Sequence, residues 1–175
     1  MEPKKTRQFK KNMLWYRLGL TPEVISYATD KEKEHAEALL RKRGEAHCAI
    51  MEFRFQRSQN PKGSYDPQFW VHHDKYRRAD SSIRGLRATL RHRYQMSFGK
   101  GLYRVASSNV YGKRREGMYG EVGCGYLKKG ALLMWVERDE LGNNWFMDLS
   151  DNQTIITMKG ATVQDIRPIP PEEEQ

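Results

Sequence analysis

Only two cysteines occur in 175 residues, Cys48 and Cys124, and neither stands in a CxxC pair or near a histidine at metal-binding spacing. That count argues against a disulfide framework and a cysteine-based zinc site, so neither a metal nor a cofactor is expected. No apolar run approaches the roughly 18 residues of a membrane span, and the opening Met-Glu-Pro-Lys-Lys-Thr-Arg leads into no signal-peptide core. The expected setting is a reducing cytoplasm, with no membrane partner. Phosphate-binding and nucleophile motifs are missing too. Gly99-Lys100-Gly101 lacks the length and the Lys-Ser/Thr ending of a P-loop, and there is no Gly-x-Ser-x-Gly elbow. The last absence is local: from Ser81 to Arg104 there is no acidic residue at all.

What is present is a folded, basic chain. Nine Tyr, six Phe and four Trp give it large apolar pieces that disordered chains lack. The net charge of +9 is unevenly spread, with 26 Lys/Arg against 11 Asp/Glu in residues 1–115 and 5 against 11 in residues 116–175. The first part therefore carries +15 and the second −6. A basic portion of that size concentrates polyanions around it, and its affinity for them falls steeply with salt.

Residues 1–20 read as a basic arm with Lys4 and Lys5, tied to the body by the apolar patch around Trp15. Thr21-Pro22-Glu23 starts a short helix, and Thr29 with Glu32 forms a capping box for a second. Arg41-Lys42-Arg43 followed by Gly44 reads as its C-terminus, where the charge suits the helix dipole. From Ala46 to Arg57 the apolar residues Ala49, Met51, Phe53 and Phe55 alternate, which predicts a half-buried strand. A turn-rich segment from Ser58 to Pro67 then leads to a predicted strand over Gln68 to His72, completing a long-looped hairpin.

A third helix is expected from Asp80 or Ser81 to about Gln95, with Ile83, Leu86, Leu90 and Tyr94 facing a core. Beside that stripe runs a second one of Arg84, Arg87 and Arg91, with Arg77 and Arg78 upstream and Arg93 near the end. Arginine presents a planar fork of donors suited to phosphate and base edges, so a row at helical spacing can follow a nucleic-acid backbone. Lys100 follows, and residues 107–120 read as a basic linker holding Lys113, Arg114 and Arg115. Trp70, Tyr76, Tyr94 and Tyr103 are candidate stacking platforms for bases.

Beyond the linker, segments 121–126, 131–137, 144–149, 153–158 and 161–166 read as five short strands separated by good turn chemistry such as Lys128-Lys129-Gly130 and Ser150-Asp151-Asn152. An acidic tail, 170–175, ends the chain. With Gly123, Gly130, the hairpin around Asn143 and a closing Ile166-Arg167-Pro168, residues 117–169 resemble the SH3-like barrels of the Tudor and KOW kind. That resemblance implies a small interaction module, and the acidic balance of this copy points it toward a protein partner. Residues 1–116 carry no such resemblance.

Trp70-Val-His-His-Asp74 is the best catalytic candidate, because His72, His73 and Asp74 could bind a metal or activate water. On a strand the two histidines point to opposite faces, and no second carboxylate accompanies them. The resulting expectation is an α+β protein, with a mixed helix and antiparallel-sheet unit over 21–106 followed by a five-stranded SH3-like β-barrel over 121–169. It is expected to be non-enzymatic and to bind DNA or RNA through the arginine-rich helix and its basic flanks. Two alternatives remain: an inhibitor or adaptor that binds an acidic partner, and a metal-dependent nuclease.

Overall fold

A computed structural model of the chain describes residues 12–59, 66–107, 110–116, 121–150, 155–157 and 164–170; the side chains of 111, 113–116, 121–124 and 155–156 lie outside that description. Lys4, Lys5 and most of the expected arm, the tip of the 58–67 segment and the acidic tail from 171 onward are likewise outside the described residues. The chain divides into two compact units, residues 1–90 and 91–175.

The first unit is helical. Two short helices, α1 (Leu14–Arg17) and α2 (Pro22–Ile25), precede two long ones of 30 residues each, α3 (Asp30–Gln59) and α4 (Pro67–Met96). The caps read from the sequence are in place. Thr21 Oγ1 accepts from Val24 N at 3.5 Å, while Glu32 accepts from Thr29 N at 2.9 Å and Thr29 Oγ1 accepts from Glu32 N at 3.3 Å.

The predicted strands at 46–57 and 68–72 are not strands, and the N-terminal unit holds no sheet among the described residues. Helix α3 runs straight through Gly44. The alternation of Ala49, Met51, Phe53 and Phe55 misled because its members do not share a face: Met51 is 48% and Phe55 67% exposed, whereas the skipped Ile50 is 5% exposed. The buried positions Ala36, Leu39, Leu40, Ala46 and Ile50 follow helical spacing instead. Helix α4 likewise begins 13 residues before Asp80, because Asp66 caps it: Gln68 N donates to Asp66 Oδ1 at 2.7 Å, with Pro67 in the first turn.

Helices α3 and α4 pack antiparallel. Arg43 pairs with Asp80 at 3.2 Å, the rings of His47 and Tyr76 lie 5.9 Å apart, and those of Phe53 and Phe69 lie 6.4 Å apart at 89°. Each step up one helix is a step down the other. On α4 the inward stripe is Phe69, Ala79, Ile83 and Leu90, none more than 5% exposed.

The second unit is an antiparallel sheet with the end of α4. Its strands are β1 (Leu102–Val105), β2 (Val110–Glu116), β3 (Glu121–Leu127), β4 (Leu132–Arg138), β5 (Asn144–Asp148), β6 (Ile155–Thr157) and β7 (Ile166–Pro168). They run in the order β3-β2-β6-β5-β4-β1-β7: five of them, β3 to β7, fall within the expected 121–169, but β1 and β2 join the same sheet, so the unit is not the expected five-stranded module. The α+β class therefore holds. The segment read as a basic linker contributes β2, which pairs with β3 along Val110–Glu116 and with β6 through Lys113, Arg114 and Arg115.

Aromatic rings fill the centre of this unit. Phe98 lies 4.9 Å from Tyr94, 5.1 Å from Tyr103 and 5.7 Å from Phe146 between ring centroids, all edge to face. Tyr94 Oη donates to the Ile166 carbonyl, tying the helix to β7. Arg138 closes the C-terminal end of α4 by donating to the Met96 and Phe98 carbonyls at 3.0 and 2.7 Å. Buried Asn144 accepts from Trp135 Nε1 at 3.0 Å and donates to the Gln95 carbonyl at 2.8 Å. In the β4–β5 turn, Asp139 accepts from Asn143 N at 2.7 Å and Trp145 Nε1 at 2.9 Å. Burial opposes ionisation of this carboxyl, but the bonds from Asn143, Trp145 and Leu141 outweigh it and hold its pKa low.

Candidate nucleic-acid interface

Because α4 is helical from Pro67 onward, residues seven apart line up along one flank, drifting only about 20° per step. Trp70, Arg77, Arg84 and Arg91 form such a row. The first three are exposed: Trp70 is 58% exposed, and Arg77 and Arg84 are open to solvent. Fourteen residues separate Trp70 from Arg84, roughly 21 Å along the axis. Tyr76, Arg77, Arg78, Ser81 and Arg84 line one shallow hollow there, together with Asp74 and Asp80.

The arginine stripe expected from the sequence is not uniform. Arg84 donates through Nε to Asp80 Oδ2 at 2.8 Å, and Arg78 pairs with Asp74 at 2.7 Å. Both pairs are exposed on the arginine side, with 76% of the Arg84 and 81% of the Arg78 side chain accessible, so both guanidiniums keep donors facing solvent. Arg77 has no ion pair among the described residues.

Arg87, Arg91 and Arg93 are drawn inward to half-buried positions. Arg87 falls one turn from Ile83 on the core-facing side, and its Nη2 lies 3.9 Å from where a Cβ on Gly19 would sit. Burial lowers the Arg91 pKa against the opposing pull of Asp165. A stripe beside a core stripe is partly roofed by whatever packs on the helix, which one-dimensional spacing does not register. Lys100 is exposed in the second unit, beside Leu102 and Met134. Lys113, Arg114 and Arg115 are placed as backbone in β2, and their side chains lie outside the described residues.

Of the four candidate stacking rings, Tyr94 and Tyr103 are core residues, 2% and 5% exposed, and Tyr76 is half-buried against His47. Trp70 alone of the four is exposed, its ring lying edge to face against Phe69 at 5.0 Å and His73 at 5.9 Å. Sequence reasoning placed Met51 and Phe55, both exposed on α3, on a strand face and Lys42 at a helix end, and it passed over Lys75. The heptad spacing from Trp70 to Arg91 was the available signal, hidden by assigning Trp70 to a strand.

The catalytic candidates disperse. On a helix, His72, His73 and Asp74 point about 100° apart in turn. His73 stacks on Phe69 at 6.0 Å and 27°, His72 lies 6.0 Å from Phe53, and Asp74 is engaged by Arg78. Among the described residues no group of three His, Cys, Asp or Glu side chains is placed to hold a metal ion. No described helix is long and apolar enough to cross a membrane.

No family model, no curated protein and no solved structure matches this chain.

Proposed function

We propose that this chain is a non-enzymatic nucleic-acid-binding protein that holds a phosphate backbone along the Trp70–Arg77–Arg84 flank of its helical hairpin. The observation that carries the reading is this exposed row, in which an indole precedes two guanidiniums at heptad spacing on one helix. Guanidiniums supply sequence-tolerant phosphate contacts, and an exposed indole favours strands with unpaired bases, DNA or RNA, that can stack on it.

The sheet unit is read as a curled module akin to the Tudor and KOW barrels, serving as a second interaction surface. Support comes from its all-antiparallel order and from the bulge between Trp135 and Glu137, since bulges increase strand bending and twist. A reducing cytoplasm suits the exposed free thiol of Cys48.

A mobility-shift assay with a labelled 20-nucleotide single strand and the matching duplex tests the reading. Trp70→Ala should weaken single-strand binding by about 1–3 kcal/mol, the usual worth of a stacked base, and duplex binding by less. Equal binding by Trp70→Ala and the parent chain on both probes would remove the indole from the site. No retained shift by the parent chain at low salt would remove the function.

A further inference from the structure

The other flank of the hairpin has a different chemistry. Between α3 and α4 lies an open hollow of about 530 Å³ whose floor is Leu39, Ala46 and Ala79. It exists because two alanines stand where the facing helices would otherwise fill the gap with larger side chains. Its rim carries three cations, Lys42, Lys75 and Arg78, against a single acid, Glu45. Lys42 and Lys75 are exposed and have no ion pair among the described residues. Ala79 follows Arg77 by two residues, about 200° around the helix, so the hollow and the proposed nucleic-acid row face different ways, and Arg78 between them lines both this hollow and the shallow one beside Arg77 and Arg84.

We propose that this groove docks an amphipathic helix of a partner protein, with an apolar stripe on the Leu39–Ala46–Ala79 floor and acidic residues against Lys42, Lys75 and Arg78. Three features favour that occupant. The lining on α4 spans His72 to Ser82, ten residues or about 15 Å, which matches roughly three turns of a helix lying along the pair. Alanines at the floor let a third helix approach closely, as in a three-helix arrangement of ridges and grooves. Charge complementarity then selects an acidic flank over a basic one. A phosphate backbone would meet the lysines, but the floor of Leu39, Ala46 and Ala79 offers no aromatic ring for a base to stack on, so the groove suits nucleic acid less well than a helix.

Fluorescence anisotropy on the full chain tests this with a labelled 18-residue peptide bearing leucines at alternating three- and four-residue spacing and glutamates beside them. Two controls accompany it: a scrambled peptide of the same composition, and a twin with lysine for each glutamate. The acidic amphipathic peptide should bind saturably and at least tenfold more tightly than its scrambled form. The double variant Lys42→Glu/Lys75→Glu should lose at least tenfold for the acidic peptide and gain affinity for the lysine twin, with its thermal midpoint checked against the parent. Arg77→Ala/Arg84→Ala should bind the peptide as the parent does, and a single-stranded oligonucleotide should not displace it. Undiminished binding by the lysine-reversed variant, equal binding of the scrambled peptide, no saturable binding at all, or displacement by the oligonucleotide would each overturn the assignment. The last outcome would assign the groove to nucleic acid.

Discussion

Arg43 on α3 donates across the hairpin to the Asp80 carboxylate at 3.2 Å, and Arg84 on α4 donates to the same carboxylate at 2.8 Å. One acid thus ties two helices together and orients one of the arginines in the proposed binding row. The hydrogen bonds from Arg84 hold the Asp80 carboxyl below the usual aspartate range against the opposing effect of burial, and Arg43 adds to them. A lowered native pKa makes the charged form stabilising, so this contribution is present above the unfolded aspartate value of about 3.9 and disappears as pH falls through the lower native value. Asp80→Ala should cost about 1–2 kcal/mol at neutral pH, between an exposed and a buried pair. Urea titrations of parent and variant should differ at neutral pH and converge on the acid limb. A difference that persists unchanged in strong acid would show that the loss is one of packing.

Gly44 sits in the middle of α3, and a Cβ there would meet nothing within 4 Å. Gly44→Ala should therefore stabilise the chain by roughly 1 kcal/mol, the propensity difference in a helix interior. Had Gly44 been a left-handed helix terminus, the same change would destabilise. Thermal denaturation of the variant separates the two by sign.

Tyr94 is 2% exposed and donates to the Ile166 carbonyl within the second unit. Tyr94→Phe keeps the ring among Phe98 and its neighbours but deletes that bond. A loss of about 1–2 kcal/mol is expected, the range for removing a buried hydrogen-bond partner. The peptide-binding groove and the oligonucleotide row both lie elsewhere, so their affinities should be unchanged in the same variant.

Local chemistry was legible from sequence, and long-range packing was not. The Thr21 cap and the Thr29–Glu32 capping box are satisfied within three residues of themselves, and their residues announce them. The Asp66-Pro67 start of α4 carries the same kind of signal as Thr21-Pro22, yet a surrounding run of turn residues masked it. Gly44 after three basic residues imitates a helix end, but the helix continues because Ala46 and Ile50 are buried further along it. Most of the short strands were readable from their turns, whereas β2 was not, since Lys113-Arg114-Arg115 has the composition of a linker and becomes a strand only through pairing with β3 and β6. In the candidate site, six arginines look equivalent in one dimension. Only packing separates exposed Arg77, Arg78 and Arg84 from half-buried Arg87, Arg91 and Arg93.

The salt dependence of oligonucleotide binding tests the central claim most directly. Each phosphate contact on a single strand contributes about 0.7 to the slope of log K against log salt concentration. If Arg77 and Arg84 each neutralise one phosphate, the parent chain should bind a 20-nucleotide single strand with a steep negative slope, and Arg77→Ala/Arg84→Ala should bind more weakly with a slope shallower by about 1.4. Identical slopes and affinities for the two proteins would contradict the account.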